Sequence, residues 1–289
     1  MSSLHYPLCI GCNYLTKHVL SSVTFLTGFI YIALVIKIPE RFQIIYGDGS
    51  LQAGIHLLPM LGSCALGSTL GGAVSKKKNF TSQTLVVATS LQILGLGLLY
   101  GFRSFDPSTE MRLILGFTSI YGFGIGLCFA ACTMIGGIEA RNDDLATAQG
   151  AIAQARVFGG ALGLAACAII FNETLQHALD LGSAPSLGQE VIDNIHRSPI
   201  AILLLSEEEK GKMVPVYIDA FRNQLLAMLV VAVIAFVASL FTYRRRPAPI
   251  IEALMGHQKE FSVGGSDGGS GVSVGTELES ASSIRSLIR

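Results

Sequence analysis

Six stretches of this chain, residues 19–36, 51–74, 79–102, 113–138, 145–172 and 223–243, run for 18 or more residues with at most one charged side chain each. A helix needs about 20 apolar residues to cross the roughly 30 Å hydrocarbon core of a bilayer, and a water-soluble domain seldom tolerates even one such segment. Within hydrocarbon every backbone N–H and C=O must be paired inside the segment, so each stretch has to be helical. The chain is therefore expected to be an all-α, polytopic membrane protein with six spans near residues 19–38, 51–74, 80–102, 111–138, 145–171 and 220–243. With 51% hydrophobic and only 14% charged residues, it has too few charges to coat a globule of this size.

A formal net charge of +0 offers nothing to nucleic acid, and no such partner is expected. Residues 1–18 lack a basic n-region, and the apolar run that follows is long enough to stay in the membrane, so the first helix acts as its own signal anchor. Cys64, Cys128, Cys132 and Cys167 lie inside apolar helices, where a thiol behaves as a small hydrophobe. Cys9 and Cys12 form a lone CxxC with no second ligand pair at zinc spacing, so neither a metal nor another cofactor is expected. The six histidines show no HxxxH and no acidic partner cluster, which argues against an integral-membrane enzyme.

Basic clusters set the expected orientation. Lys76-Lys77-Lys78 lies between the second and third spans and Arg244-Arg245-Arg246 follows the sixth, so both fall on one side, which should be cytoplasmic. On that topology residues 1–18 form a cytoplasmic segment, 173–219 an outward loop, and 244–289 a Gly/Ser-rich, disordered cytoplasmic tail. Within the loop, Ser206 followed by Glu207, Glu208 and Glu209 reads as a capping box that opens a helix.

Small residues let helix backbones approach closely in lipid. Ser63, Gly67 and Gly71, then Gly122, Gly126 and Ala130, then Ala155, Gly159, Gly163 and Cys167 recur at spacing four, each marking a packing face. Polar groups at membrane depth are costly unless they face protein or water. Arg156 stands eleven residues into the fifth span, after Gln149 and Gln154, as the one full charge expected well inside a helix. It either snorkels to the interface or faces a central cavity holding an anionic group or a neighbouring carboxylate. His56 and Gln92 are weaker polar candidates, and no Asp or Glu is expected at membrane depth.

The run Phe25-Leu26-Thr27-Gly28-Phe29 through Ile38-Pro39-Glu40-Arg41-Phe42-Gln43, and then Gly47-Asp48-Gly49-Ser50-Leu51-Gln52-Ala53-Gly54-Ile55-His56-Leu57-Leu58-Pro59, resembles fungal members of the major facilitator superfamily, in the fourteen-helix drug:proton antiporter branch. Ala148-Gln149-Gly150 through Gln154-Ala155-Arg156-Val157-Phe158-Gly159-Gly160-Ala161-Leu162-Gly163 is similar to that branch's second-last helix. The resemblance covers about residues 19–243 and implies one six-helix bundle, the C-terminal one, of a transporter whose substrate path runs between two bundles. Gly67, Gly71 and Gly72 followed by Lys76, Lys77 and Lys78 look like a degenerate copy of the family's cytoplasmic loop motif, without its Asp and its Arg-Gly-Arg ending.

Under this resemblance the chain is half of a proton-coupled multidrug or toxin efflux antiporter working by alternating access on a small amphipathic or anionic substrate. Phe29, Tyr31, His56, Tyr121, Gln149, Gln154 and Arg156 are the candidate path residues. The residues credited with proton coupling in the family belong to its other bundle. The plasma membrane is the expected location, with the vacuolar membrane as the alternative. Other readings are a truncated, transport-inactive fragment, or a subunit that needs a separate N-terminal half or another copy of itself.

Overall fold

The computed structural model describes residues 6–77, 80–101, 107–139, 145–180 and 189–241, and these are helical almost throughout. The helices are α1 (Tyr6–Tyr46), α2 (Ser50–Ile55), α3 (Leu58–Lys77), α4 (Thr81–Gly101), α5 (Pro107–Glu139), α6 (Leu145–Asp180), α7 (Gln189–Arg197), a 3-10 turn (Pro199–Leu204) and α8 (Glu207–Phe241). Six segments are long and apolar enough to cross a bilayer: Val19–Tyr46, Ser50–Val74, Thr81–Gly101, Glu110–Gly137, Leu145–Asp180 and Glu207–Phe241. The described residues belong to one compact unit within residues 1–250, and the whole of the expected tail, 244–289, lies outside them.

Each helix end has a local cause. Gly47 adopts φ +70° and its N–H bonds the Gln43 carbonyl at 3.0 Å, a left-handed stop that glycine takes without steric penalty. The second span is broken into α2 and α3 at His56 and Leu57, because Pro59 has no N–H to offer the carbonyl four residues back. Ser206 opens α8 as a capping box: its N–H reaches Glu209 Oε2 at 3.0 Å, and the Glu209 N–H points back at Ser206 Oγ at 3.5 Å.

Three helices outrun their expected spans. α1 continues through Pro39 to Tyr46, since Phe42 and Ile44 extend its buried stripe and the charged residues just before them, Lys37, Glu40 and Arg41, find partners. α6 runs to Asp180, carried by Phe171 and Leu175, which are both buried and lie one turn apart. α8 begins at Glu207, because Met213, Val216, Tyr217, Ala220 and Phe221 form one buried face at helical spacing. The described residues of 173–219 are thus largely helical, and Ile195 and Ile202 among them are buried.

α5 packs between α3 and α4, α1 packs along α6, and α8 closes against α1, α4 and α6. The α3–α5 and α1–α6 seams are made by the small-residue stripes. A Cβ on Gly122 or Gly126 would strike the carbonyl of Met60 or Cys64 on α3, and one on Gly67 would strike that of Phe123 on α5. Gly159 and Gly163 of α6 meet the carbonyls of Phe25 and Phe29, while Gly28 of α1 meets that of Arg156. Large apolar side chains remain on the outside, among them Leu66, Val157, Phe158, Ile169 and Val230, as a bilayer would require.

Candidate functional site

The tight seam between α1 and α6 positions Arg156. With Gly28 against its backbone, the side chain crosses toward α5, where Cζ stands 3.7 Å from the centroid of the Phe129 ring. Phe129 is in turn met edge-on by Tyr31 of α1, with centroids 5.2 Å apart and planes at 86°. Cys64 of α3 and Tyr31 both lie near enough to feel the guanidinium charge. Four helices, α1, α3, α5 and α6, therefore converge on one cation.

That cation is incompletely served. Nε and Nη2 of Arg156 are buried without a hydrogen-bond partner, and among the described residues it joins no ion pair. Stacking on an aromatic face offsets only about 0.5–2 kcal/mol, less than the cost of withdrawing an unpaired charge from water. The chemistry that would satisfy the site is a carboxylate, phenolate or phosphate oxygen placed opposite the stacked guanidinium.

The other candidate path residues are distributed more widely. Phe29 is half-buried along the α6 seam. Gln149 donates from Nε2 to the Thr133 carbonyl at 2.9 Å and so clips α6 to α5, whereas Gln154 is exposed. Tyr121 is sealed in the core, with the α4 backbone at Gly95 pressed against its own. His56, at the break between α2 and α3, has its ring 4.7 Å from that of Phe42, and its Nδ1 lies 3.1 Å from Asp48 Oδ2 in the turn after α1 without hydrogen-bond alignment, away from the Arg156 cluster. Gly67, Gly71, Gly72, Lys76 and Lys77 lie along the second half of α3, while Lys78 lies outside the described residues.

One group escaped the sequence reading. Because α1 extends past Pro39, Lys37, Glu40 and Arg41 are buried within a spanning helix, which corrects the expectation that Arg156 is the lone interior charge and that no acid lies inside a span. Lys37 Nζ donates to both Glu40 oxygens at 2.9 and 3.0 Å, and Tyr217 of α8 donates to Glu40 Oε1 at 3.3 Å. Arg41 Nη2 donates to Glu110 Oε1 of α5 at 2.6 Å, with its Cζ 4.8 Å from the Phe221 ring centroid. The available signal was spacing: Lys37, Arg41 and Ile45 continue the helical period straight through the proline.

Comparison with known proteins places this geometry among membrane transporters. No family model matches the chain. It is 30% identical over 226 residues to the MFS-type transporter FPY5 of Fusarium mangiferae, covering 77% of this chain and 36% of that protein. It is 29% identical over 219 residues to the efflux pump DEP3 of Fusarium langsethiae, covering 74% of this chain and 39% of that one. The chain thus spans little more than a third of the length of these curated relatives. Its fold matches that of a bacterial homologue of the human lysosomal transporter Spinster, solved inward-facing and unoccupied, with a TM-score of 0.61 and 17% identity over 81% of this chain and 49% of the other.

Proposed function

Since this chain belongs to the major facilitator superfamily of membrane transporters, we propose that its six spans form the C-terminal bundle of an efflux pump of the fourteen-helix branch. In this reading the face where α1, α3, α5 and α6 meet is one wall of a substrate path, and a second bundle supplies the other. The carrying observation is Arg156: a guanidinium stacked on Phe129 with two buried, unpartnered nitrogens. It recruits the anionic group of a small amphipathic substrate, and the Phe129 and Tyr31 rings receive the apolar part. The two bundles rock against each other, and proton return through the second bundle drives export. The plasma membrane is the proposed location, with the vacuolar membrane as the alternative.

The test is efflux in a drug-sensitive host that carries this bundle with its matching partner bundle. Arg156→Ala should abolish export of anionic substrates at unchanged expression. Arg156→Lys should retain part of it, because a point charge replaces the planar fork. Full export by the Ala variant would remove Arg156 from the path and leave only the snorkelling role.

A further inference from the structure

A second charged site lies away from Arg156, where α4 ends, α5 begins and α8 crosses them. It is a cavity of about 110 Å³ bordered by Arg41, Tyr100, Glu110, Asp219, Phe221 and Arg222. Drug-sized ligands occupy pockets of roughly 300–1,000 Å³, so this one accommodates a headgroup-sized fragment and not a whole substrate.

Its charges have an unusual distribution. On the floor, Arg41 is 9% exposed and gives Nη2 to Glu110, but its Nε is buried with no partner. At the mouth, Asp219 and Arg222 are both exposed, three residues apart on α8, and neither joins an ion pair among the described residues. Arg222 lies over Tyr100, with Cζ 5.0 Å from the ring centroid. Once Arg41 and Glu110 neutralise each other, one free cation and one free anion remain beside an orphaned N–H donor. That set complements a zwitterion: an oxyanion for Arg222 and the Arg41 Nε–H, and an ammonium for Asp219.

The surroundings indicate what carries the zwitterion. Gly101, on the cavity wall, is the last residue of α4, so the cavity sits at the end of a span, at the depth of lipid headgroups. Toward the middle of the span, α4 and α8 pack together and expose Leu94, Leu226 and Val230 at 51%, 43% and 54%. At 1.5 Å per residue these lie about 6–12 Å deeper than Tyr100 and Arg222, so the acyl chain of a lipid whose head sits in the cavity would lie against exposed apolar side chains of both helices. We propose that this cavity is a specific site for a zwitterionic phospholipid with a primary ammonium, a phosphatidylethanolamine-type lipid. Its phosphodiester binds Arg222 and Arg41, its ammonium donates to Asp219, and its chain lies along the exposed apolar side of α4 and α8.

The full chain, purified in mild detergent, can be titrated with dioleoyl phosphatidylethanolamine, phosphatidylcholine and phosphatidylglycerol, and with free phosphoethanolamine, while bound lipid is counted by native mass spectrometry. Phosphatidylethanolamine should be retained roughly tenfold better than phosphatidylcholine, whose quaternary ammonium cannot donate a hydrogen bond to Asp219. Free phosphoethanolamine should bind at least tenfold more weakly than the lipid. Asp219→Asn should abolish the preference over phosphatidylcholine and leave phosphatidylglycerol unchanged, and Arg222→Ala should weaken all three. Equal retention of the ethanolamine and choline lipids by the unaltered protein would overturn the proposal without recourse to any variant. Equal binding of phosphoethanolamine and lipid would reassign the site to a soluble zwitterion and overturn the lipid assignment.

Discussion

The Lys37–Glu40 pair gives the sharpest test of the packing. The two side chains are 9% and 10% exposed and 2.9 Å apart, so neither is well solvated. At an effective dielectric of about 20 their attraction is about 6 kcal/mol, most of it consumed by the desolvation of two ions. Glu40→Gln keeps the shape but leaves the Lys37 ammonium buried with no counter-charge, a change that typically costs about 3–5 kcal/mol. Lys37→Met alone should cost a similar amount by stranding the carboxylate, with the Tyr217 hydrogen bond retained as partial compensation. The double variant Lys37→Met/Glu40→Met should recover most of the loss, because a buried pair replaced by apolar groups of similar volume is often neutral. Its residual penalty should be about 1 kcal/mol, from the lost Tyr217 hydrogen bond. Denaturant unfolding in mixed micelles, followed by circular dichroism, measures all four corners of the cycle. A Glu40→Gln variant within about 1 kcal/mol of the parent, or a double variant worse than the sum of the singles, would refute the view that the pair is dry and mutually dependent.

Gly95→Ala should destabilise the bundle by about 1–3 kcal/mol, since the new Cβ would lie 2.8 Å from Tyr121 Cβ and N, where ordinary contact begins beyond 3.4 Å; Gly97→Ala, with nothing within 4 Å of its Cβ, is the matched control. On the proposed topology a tag after Arg289 is protected from protease added outside intact cells while a site inserted near Gly188 is cut, and the reverse pattern would invert every loop assignment. Expressed alone in a drug-sensitive host, this chain should confer no resistance, because one six-helix bundle makes one wall of a path; resistance from the chain alone would point to a pair of identical bundles.

Much of the architecture is a local property. Whether a segment must be a spanning helix depends on its own hydropathy and on the need to pair its own backbone, so six spans, their order and the all-α fold were readable residue by residue. The same holds for the Ser206 capping box and for the glycine stripes, whose spacing of four is itself the helix surface. The site was readable only in part. Arg156 stood out because a charge in an apolar run is anomalous in any context, but its direction depended on Gly28 pressing α6 onto α1 and on Phe129 arriving from α5. Tyr121 and His56 carried the same local signal as Tyr31, yet one is sealed in the core and the other serves a turn.

The charged cluster on α1 marks where local reasoning stops. Pro39 and three ionisable residues in five positions read as a helix end, and they would be one if left unpartnered. They remain inside the helix because Glu110 lies 69 residues and Tyr217 177 residues along the chain from the groups they meet. A charge is tolerated in a low-dielectric interior only when its partner is delivered to within about 3 Å: α1 itself supplies the Lys37–Glu40 pair, but only its packing against α5 and α8 brings Glu110 to Arg41 and Tyr217 to Glu40.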